Sequence, residues 1–380
     1  MTYARARLGL GIFGVGSLVI IATLTLLFKI PQQYLANRSG FGGSELIQLA
    51  SVIGLFMLWL MPLDFLGGYL LPKKFGKTEQ RFQEWFTTYV AAAVSQAALF
   101  VVFGALILFS SRIFGAFGMA IAMTLAIFGC FVLRNRFLMR REEISAKFSK
   151  KALDAIALIQ SWQIYVPRTI FVDHQDIGFT GGIVGIGRYT KIVLPKAWLE
   201  FSREQLATAI ARRAIAIESG SYTRGLLISL AWNVCGFLLC SMLPNAGLST
   251  VTELVTTLCG FTLWSFLGLL TLPTLSRNAS LNIDRSLVHL GMPPELISRT
   301  ASSIDQLQDD EPDRSALIET IFHPVPSVSS RSPEQPVRVL AAWNVARTTL
   351  FFSWACLGFL SRAVHCNVGR PELWTMLPTD

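Results

Sequence analysis

The sequence predicts an α-helical multi-pass membrane protein with a small α+β domain outside the bilayer. Three observations predict it. Only 15% of the 380 residues are charged, against about 25% in an ordinary soluble domain. Six nearly uncharged apolar runs, at 8–28, 46–71, 88–110, 113–133, 226–243 and 251–272, come near or exceed the about 20 residues that cross a bilayer as helix. Two polar stretches, 135–225 and 274–338, carry strand and amphipathic-helix patterns. Each has too little apolar surface to stabilise itself alone. They are therefore expected to pack together as one domain, split in sequence by a membrane hairpin at 226–273. Residues 1–134 form a four-span region on this reading, and 339–380 a C-terminal amphipathic or membrane-associated segment. A seventh span at 339–360 is the doubtful one, because Asn344 and Arg347 interrupt the run.

Taken in order, the first four runs make two hairpins. The first run is longer than a signal-peptide core and no A-x-A-like site follows it, so it reads as a retained anchor. Residues 135–160 read as a helix leaving the membrane, with Ile144, Phe148, Leu153, Ile156 and Ile159 at near-helical spacing. "RTIFVD" (168–173) is a short strand. "GGIVGIGRYTKIVLP" (181–195) reads as two strands around a turn near Arg188 and Tyr189. Its glycines fit no nucleotide-binding fingerprint. Residues 203–224 form a helix, with Ser202 as N-cap and Gln205 completing a capping box. A helix over 276–290 ends at Gly291, and another covers 294–308. The stretch 305–314 is an acidic connection, and the Pro- and Ser-rich stretch 323–337 is a loop.

The net charge is +9, and its placement argues against nucleic acid. Arg5 and Arg7 precede the first run; Lys73, Lys74, Lys77 and Arg81 separate the second and third. Arg134, Arg136, Arg140, Arg141, Lys147, Lys150 and Lys151 follow the fourth, while the alternate connections carry few basic residues. This is the positive-inside pattern. It places the N-terminus and the α+β domain in the cytoplasm; the expected location is the cytoplasmic (inner) membrane of a bacterium. Membrane lipids are the expected surroundings, and the 134–151 cluster attracts anionic headgroups. Six cysteines, Cys130, Cys235, Cys240, Cys259, Cys356 and Cys366, include no C-x-x-C pair, so they read as buried free thiols without a zinc-ribbon or redox signature.

One segment carries more chemical information than the rest: "KIVLPKAWLEFSREQLATAIARRAIA", followed by a membrane hairpin, then "SRNASLNID", then His323-Pro324. In order and spacing these four elements resemble the integral-membrane zinc metallopeptidases of family 48, which include the bacterial heat-shock membrane protease and the CAAX prenyl protease. The resemblance covers roughly 165–335 and implies a zincin-like fold for the α+β domain. It also implies where an active site should be. Two histidines four residues apart on a helix would hold zinc, and a glutamate between them would take a proton from the bound water. Those positions are Arg212, Ala216 and Arg213. The third ligand, a glutamate on the later helix, falls at Ser280. The supporting aspartate after it is kept as Asp284. A guanidinium stays protonated and offers no lone pair, so this donor set is expected to bind no zinc and catalyse no hydrolysis.

The reading is a catalytically inactive metallopeptidase-like protein that binds, scaffolds or regulates protein partners, for example in membrane protein quality control. Two alternatives stay open: an active zinc endopeptidase with atypical ligands, for which Glu218 and His323 are the candidates, and a lipid- or solute-handling membrane protein. The other histidines, His174, His289 and His365, show no metal spacing. Arg212 and Arg213 sit on neighbouring faces of one helix. Their simplest fate is an ion pair with Asp284 or the 309–313 acidic cluster, or solvation. With His323 they could instead form an anion or peptide site, and the glycine-rich strand at 181–195 could add a bound chain. Asp64 lies inside the second run, where a carboxylate needs a partner; Lys73 or Lys74 could snorkel to it.

Overall fold

A computed structural model describes residues 2–35, 45–139, 143–145, 149–173, 178–308, 310–311, 313–331 and 336–374. His174, Asp309, Pro312 and part of the 134–151 basic cluster lie outside the described residues. In chain order the helices are α1 (Tyr3–Leu27), α2 (Ile30–Tyr34), α3 (Glu45–Phe65), α4 (Leu71–Lys74) and α5 (Phe82–Met139). Strand β1 (Glu143–Ser145), α6 (Lys150–Ser161), β2 (Thr169–Val172), β3 (Gly182–Val184) and β4 (Lys191–Pro195) follow. Then come α7 (Arg203–Glu218), α8 (Ser221–Ser241), α9 (Val251–His289), α10 (Pro294–Gln308), α11 (Ala316–Phe322), α12 (Val345–Phe352), α13 (Leu360–Ala363) and α14 (Pro371–Trp374). They form two compact units: 1–130, 230–268 and 349–375 in the first, 131–229 and 269–348 in the second.

The first unit is helical. Among the described residues five helices are long and apolar enough to cross a bilayer: Tyr3–Leu27, Glu45–Lys74, Phe82–Leu133, Ser221–Ser241 and Val251–His289. The third of these contains both the third and fourth predicted runs. Unbroken, its 52 residues would extend about 78 Å at 1.5 Å per residue, against a hydrocarbon core of about 30 Å. Helical geometry fails inside it at Gly115, with φ 63° and ψ −160°, a conformation that only glycine adopts without strain. The doubtful seventh run forms no spanning helix: α12 has eight residues and gives way to a 3₁₀ turn at Ser353–Cys356, then to Leu357 at φ 52°.

The chain's last described residues are part of this unit's core. Arg7, 2% exposed, donates to the Gly67 carbonyl (2.8 Å) and through Nε to the His365 carbonyl (3.1 Å). Trp85 Nε1 donates to the Gly369 carbonyl at 3.2 Å. Gly68 permits this approach: a Cβ there would lie 1.8 Å from the Gly369 oxygen.

The second unit holds a four-stranded sheet in the order β1-β2-β4-β3. Strands β2 and β4 are parallel, with Thr169 opposite Ile192 and Val172 opposite Pro195; β1 and β3 run antiparallel to their neighbours. Every residue of β2 is buried, which suits a strand covered on both faces. Helix α7 packs on α6 and α10. Helix α10 offers a buried stripe of Leu296, Ile297, Thr300, Ala301 and Ile304, the spacing of one helical face. The predicted capping box at Ser202 and Gln205 is present. With the first-turn amides it also holds the Glu204 carboxyl below its usual pKa, chiefly through that residue's own backbone N–H and then Ser202.

Four local expectations change. The predicted 135–160 helix is interrupted by β1, which pairs with β2. The 203–224 helix breaks at Gly220, whose φ of 68° ends α7 before α8 begins. The sixth run and the 276–290 helix are one element, because α9 continues through Pro273. The connection after α10 contains the unpredicted α11.

Candidate functional site

The degenerate motif lies on α7, whose residues 206–216 are all buried. Arg212 is 2% exposed and Arg213 fully buried, so each guanidinium needs a partner inside the protein. They find different ones. Arg212 Nε donates to Asp284 Oδ1 on α9 at 2.7 Å, and its guanidinium lies over the Trp343 ring, 5.9 Å from the centroid. Asp284 Oδ2 accepts from Arg331 Nη1 at 2.6 Å. One carboxylate therefore bridges two guanidinium groups, and both ion pairs are nearly dry. Ser280, one turn before Asp284 on α9, is buried, and so is Ala216, one turn after Arg212 on α7.

Arg213 turns toward the sheet. Nη1 donates to the Ala209 carbonyl one turn back at 2.8 Å, and Nη2 to the Thr180 carbonyl at 2.7 Å. Its guanidinium lies 5.2 Å from the centroid of the buried Trp198 ring. Thr180 leads into β3, one of the two edge strands of the sheet. Further along, Tyr222 Oη donates to the Ile183 and Gly185 carbonyls at 3.3 and 3.1 Å. A chain adding to this edge would meet Tyr222 at those acceptors.

Beside Arg212 lies a small cleft of about 30 Å³, lined by Arg314, Arg331, Arg347, Asp305 and His323 among others. Arg213 is not part of its lining. Arg314 Nη2 donates to Asp305 Oδ1 at 2.9 Å. The wall running from His323 to Arg331 is pinned to α11, because the buried Glu319 accepts from the Ser327 and Ser330 hydroxyls at 2.5 and 2.8 Å. Of the residues expected to form an anion or peptide site, Arg212 and His323 thus share a cleft, whereas Arg213 is committed to backbone carbonyls. Arg314, Arg331, Arg347 and Trp343 carried no motif in the sequence. Trp343 reaches the site because its backbone N–H donates to the Ser221 carbonyl at 3.1 Å, at a point where only glycine fits at 225: a Cβ there would lie 2.2 Å from the Trp343 carbonyl oxygen.

The donor set does not suit zinc. Two guanidinium groups, a methyl and one hydroxyl occupy the four positions, whereas zinc sites use imidazole, thiolate or carboxylate. Glu218, one candidate for an atypical ligand, is exposed at the end of α7. Among the described residues no three of His, Cys, Asp and Glu are grouped to hold a metal ion.

Asp64 is fully buried in the first unit. Its partner is not a snorkelling lysine: Lys73 Nζ donates to Tyr69 Oη at 2.9 Å. Arg362 Nη2 forms a short ion pair with Asp64 Oδ2, and the Gly369 N–H donates to Oδ1 at 2.7 Å. Arg362 also donates to Gln96 Oε1 at 2.9 Å and stacks 4.1 Å from the Trp374 ring centroid.

Apolar helices long enough to span a bilayer and a small mixed sheet define a class: a multi-pass membrane protein with a fold like that of Ste24p. The chain is similar to S. mikatae Ste24p in its crystal structure, with a TM-score of 0.66 over 87% of this chain and 86% of that one, at 13% identity. At that identity the likeness is one of fold. No protein-family model and no curated protein matches the sequence.

Proposed function

We propose that this protein is a catalytically inactive relative of the membrane metallopeptidases, acting by binding, as a scaffold or regulatory subunit for protein partners in the cytoplasmic membrane of a bacterium, with the second unit on the cytoplasmic side. One observation carries the reading: Arg212, at a metal-ligand position of the resemblance, is ion-paired to Asp284 at 2.7 Å. The carboxylate that would orient a ligand in an active relative is engaged by two cations. Arg213, at the general-base position, cannot accept a proton at any relevant pH and donates to two backbone carbonyls. No step of hydrolysis follows from this geometry.

The test is proteolysis by the purified full-length protein in detergent, with zinc supplied, against unfolded and membrane-protein substrates. No cleavage above that of an Arg212→Ala, Arg213→Ala variant is expected. Chelator-sensitive cleavage would overturn the reading. Affinity capture of the cross-linked protein from native membranes should return a reproducible protein partner at near-stoichiometric yield. Recovery of lipid alone would favour the lipid-handling alternative.

A further inference from the structure

The chain from Pro336 to Trp343 is neither helix nor strand, and it carries uncovered apolar side chains: Val337 is 62% exposed, Val339 90% and Leu340 71%. Single exposed apolar residues need no explanation, whereas three within four residues form a patch that does. This strap is held on the C-terminal part of α9. The Ala342 N–H donates to the Leu275 carbonyl at 3.1 Å, and Asn278 Nδ2 to the Leu340 carbonyl at 2.9 Å. Asn282 Nδ2 donates to the Arg338 carbonyl at 2.8 Å, and its Oδ1 accepts from the Arg338 N–H at 2.9 Å. The strap therefore runs back along α9, from Asn282 at Arg338 to Leu275 at Ala342.

These bonds fix its level against the bilayer. The apolar run of α9 ends at 272. At 1.5 Å per residue, Leu275 lies about 4.5 Å past that end, Asn278 about 9 Å and Asn282 about 15 Å. Helix α8 gives the same level independently. Its apolar run begins at 226, and Trp343 crosses at Gly225, where a Cβ would lie 2.2 Å from the Trp343 carbonyl oxygen. Trp343 thus stands at the hydrocarbon boundary, and Leu340, three residues earlier, is at most about 11 Å from it. Headgroups add about 5–7 Å per leaflet outside a hydrocarbon core of about 30 Å. Both routes put Leu340 at the outer face of the headgroup layer, within a side chain's reach of it.

We infer that the 337–340 strap is an interfacial membrane anchor of the second unit, with Val339 and Leu340 seated among the phospholipid headgroups of the leaflet at this end of α9. Seating them removes apolar surface from water. A strap already held by its bonds to Leu275, Asn278 and Asn282 loses little freedom in the process. Its depth is bounded, because irregular backbone does not enter lipid-exposed hydrocarbon. The strap lies apart from the α7 motif position, so the inference fails separately from the functional reading above.

Depth-resolved photolabelling of the full-length protein in phosphatidylcholine nanodiscs tests it. One phosphatidylcholine probe carries a carbene precursor at the headgroup, the other at the end of an acyl chain, and adducts are mapped by mass spectrometry. The headgroup probe should label Val339 and Leu340, at least fivefold more than the acyl-end probe does. The acyl-end probe should label the run 251–272 instead. A Val339→Asn, Leu340→Asn variant changes only exposed side chains; its strap labelling should fall at least threefold, with the labelling of 251–272 unchanged. A strap left unlabelled by the headgroup probe, while 251–272 is labelled, would overturn the inference. Equal strap labelling by the two probes would do the same, as would an undiminished yield in the variant.

Discussion

Asp284 accepts from Arg212 at 2.7 Å and from Arg331 at 2.6 Å, one carboxylate oxygen to each. Removing the shared acceptor takes the Asp284 charge from two buried guanidinium groups at once, whereas removing Arg212 leaves Asp284 still paired to Arg331. Asp284→Asn should therefore destabilise the protein by about 3–5 kcal/mol, the range for breaking a buried pair, and Arg212→Met by clearly less. Thermal unfolding in detergent ranks the two. Equal midpoints would show that the bridge carries no weight.

Arg213 is fully buried and donates to Ala209 and Thr180. Replacing it with glutamate, the residue an active relative carries, would set a carboxylate against two carbonyl oxygens. Arg213→Glu should lower stability by about 3 kcal/mol or more, since it loses two charge-assisted bonds and buries an uncompensated charge. It should restore no proteolysis. An active Arg213→Glu protein would mean that the metal site is intact.

Tyr222 covers the carbonyls of Ile183 and Gly185 on the β3 edge. Tyr222→Phe should cost about 1–2 kcal/mol, the loss of a buried hydrogen bond. If strand addition occurs here, the variant should bind an unfolded reporter peptide more tightly than the unaltered chain does. Fluorescence anisotropy with a labelled peptide reads the change; a fall in affinity would show that Tyr222 assists rather than blocks the edge.

In the first unit, Arg362 reaches Asp64 across most of the chain. Both side chains are fully buried. Arg362→Gln should lower the thermal midpoint by the equivalent of about 3–5 kcal/mol. Gly68→Ala should be destabilising too, because a Cβ at that position collides with the Gly369 carbonyl. The expected readout is a loss of monodisperse protein after extraction. Unchanged behaviour of both would show that the docking of the tail contributes nothing.

Much of this architecture was legible because its signals are local. Apolar runs marked the long apolar helices, short apolar stretches marked β2 and β4, and Ser202 with Gln205 marked the start of α7. The motif positions marked Arg212, Arg213 and Asp284, and adjacent helix faces set the two arginines apart, though not that Arg213 would turn to backbone carbonyls. Helix α9 reads as two pieces because its apolar run ends at 272, yet one long helix continues through Pro273. The arginines of the cleft were invisible as a group, since they come from four segments and share no spacing. The partner of Asp64 was missed for the same reason: Lys73 was near in sequence, and Arg362, 298 residues away, was near in space.

The most direct measurement of the central claim is the zinc content of the full-length protein, purified without chelator, equilibrated with zinc and freed of excess. Mass-spectrometric metal analysis should give far less than one zinc per chain, unchanged in an Arg212→Ala, Arg213→Ala variant. One zinc per chain, lost on replacing His323 or Glu218 and accompanied by chelator-sensitive hydrolysis, would contradict the account.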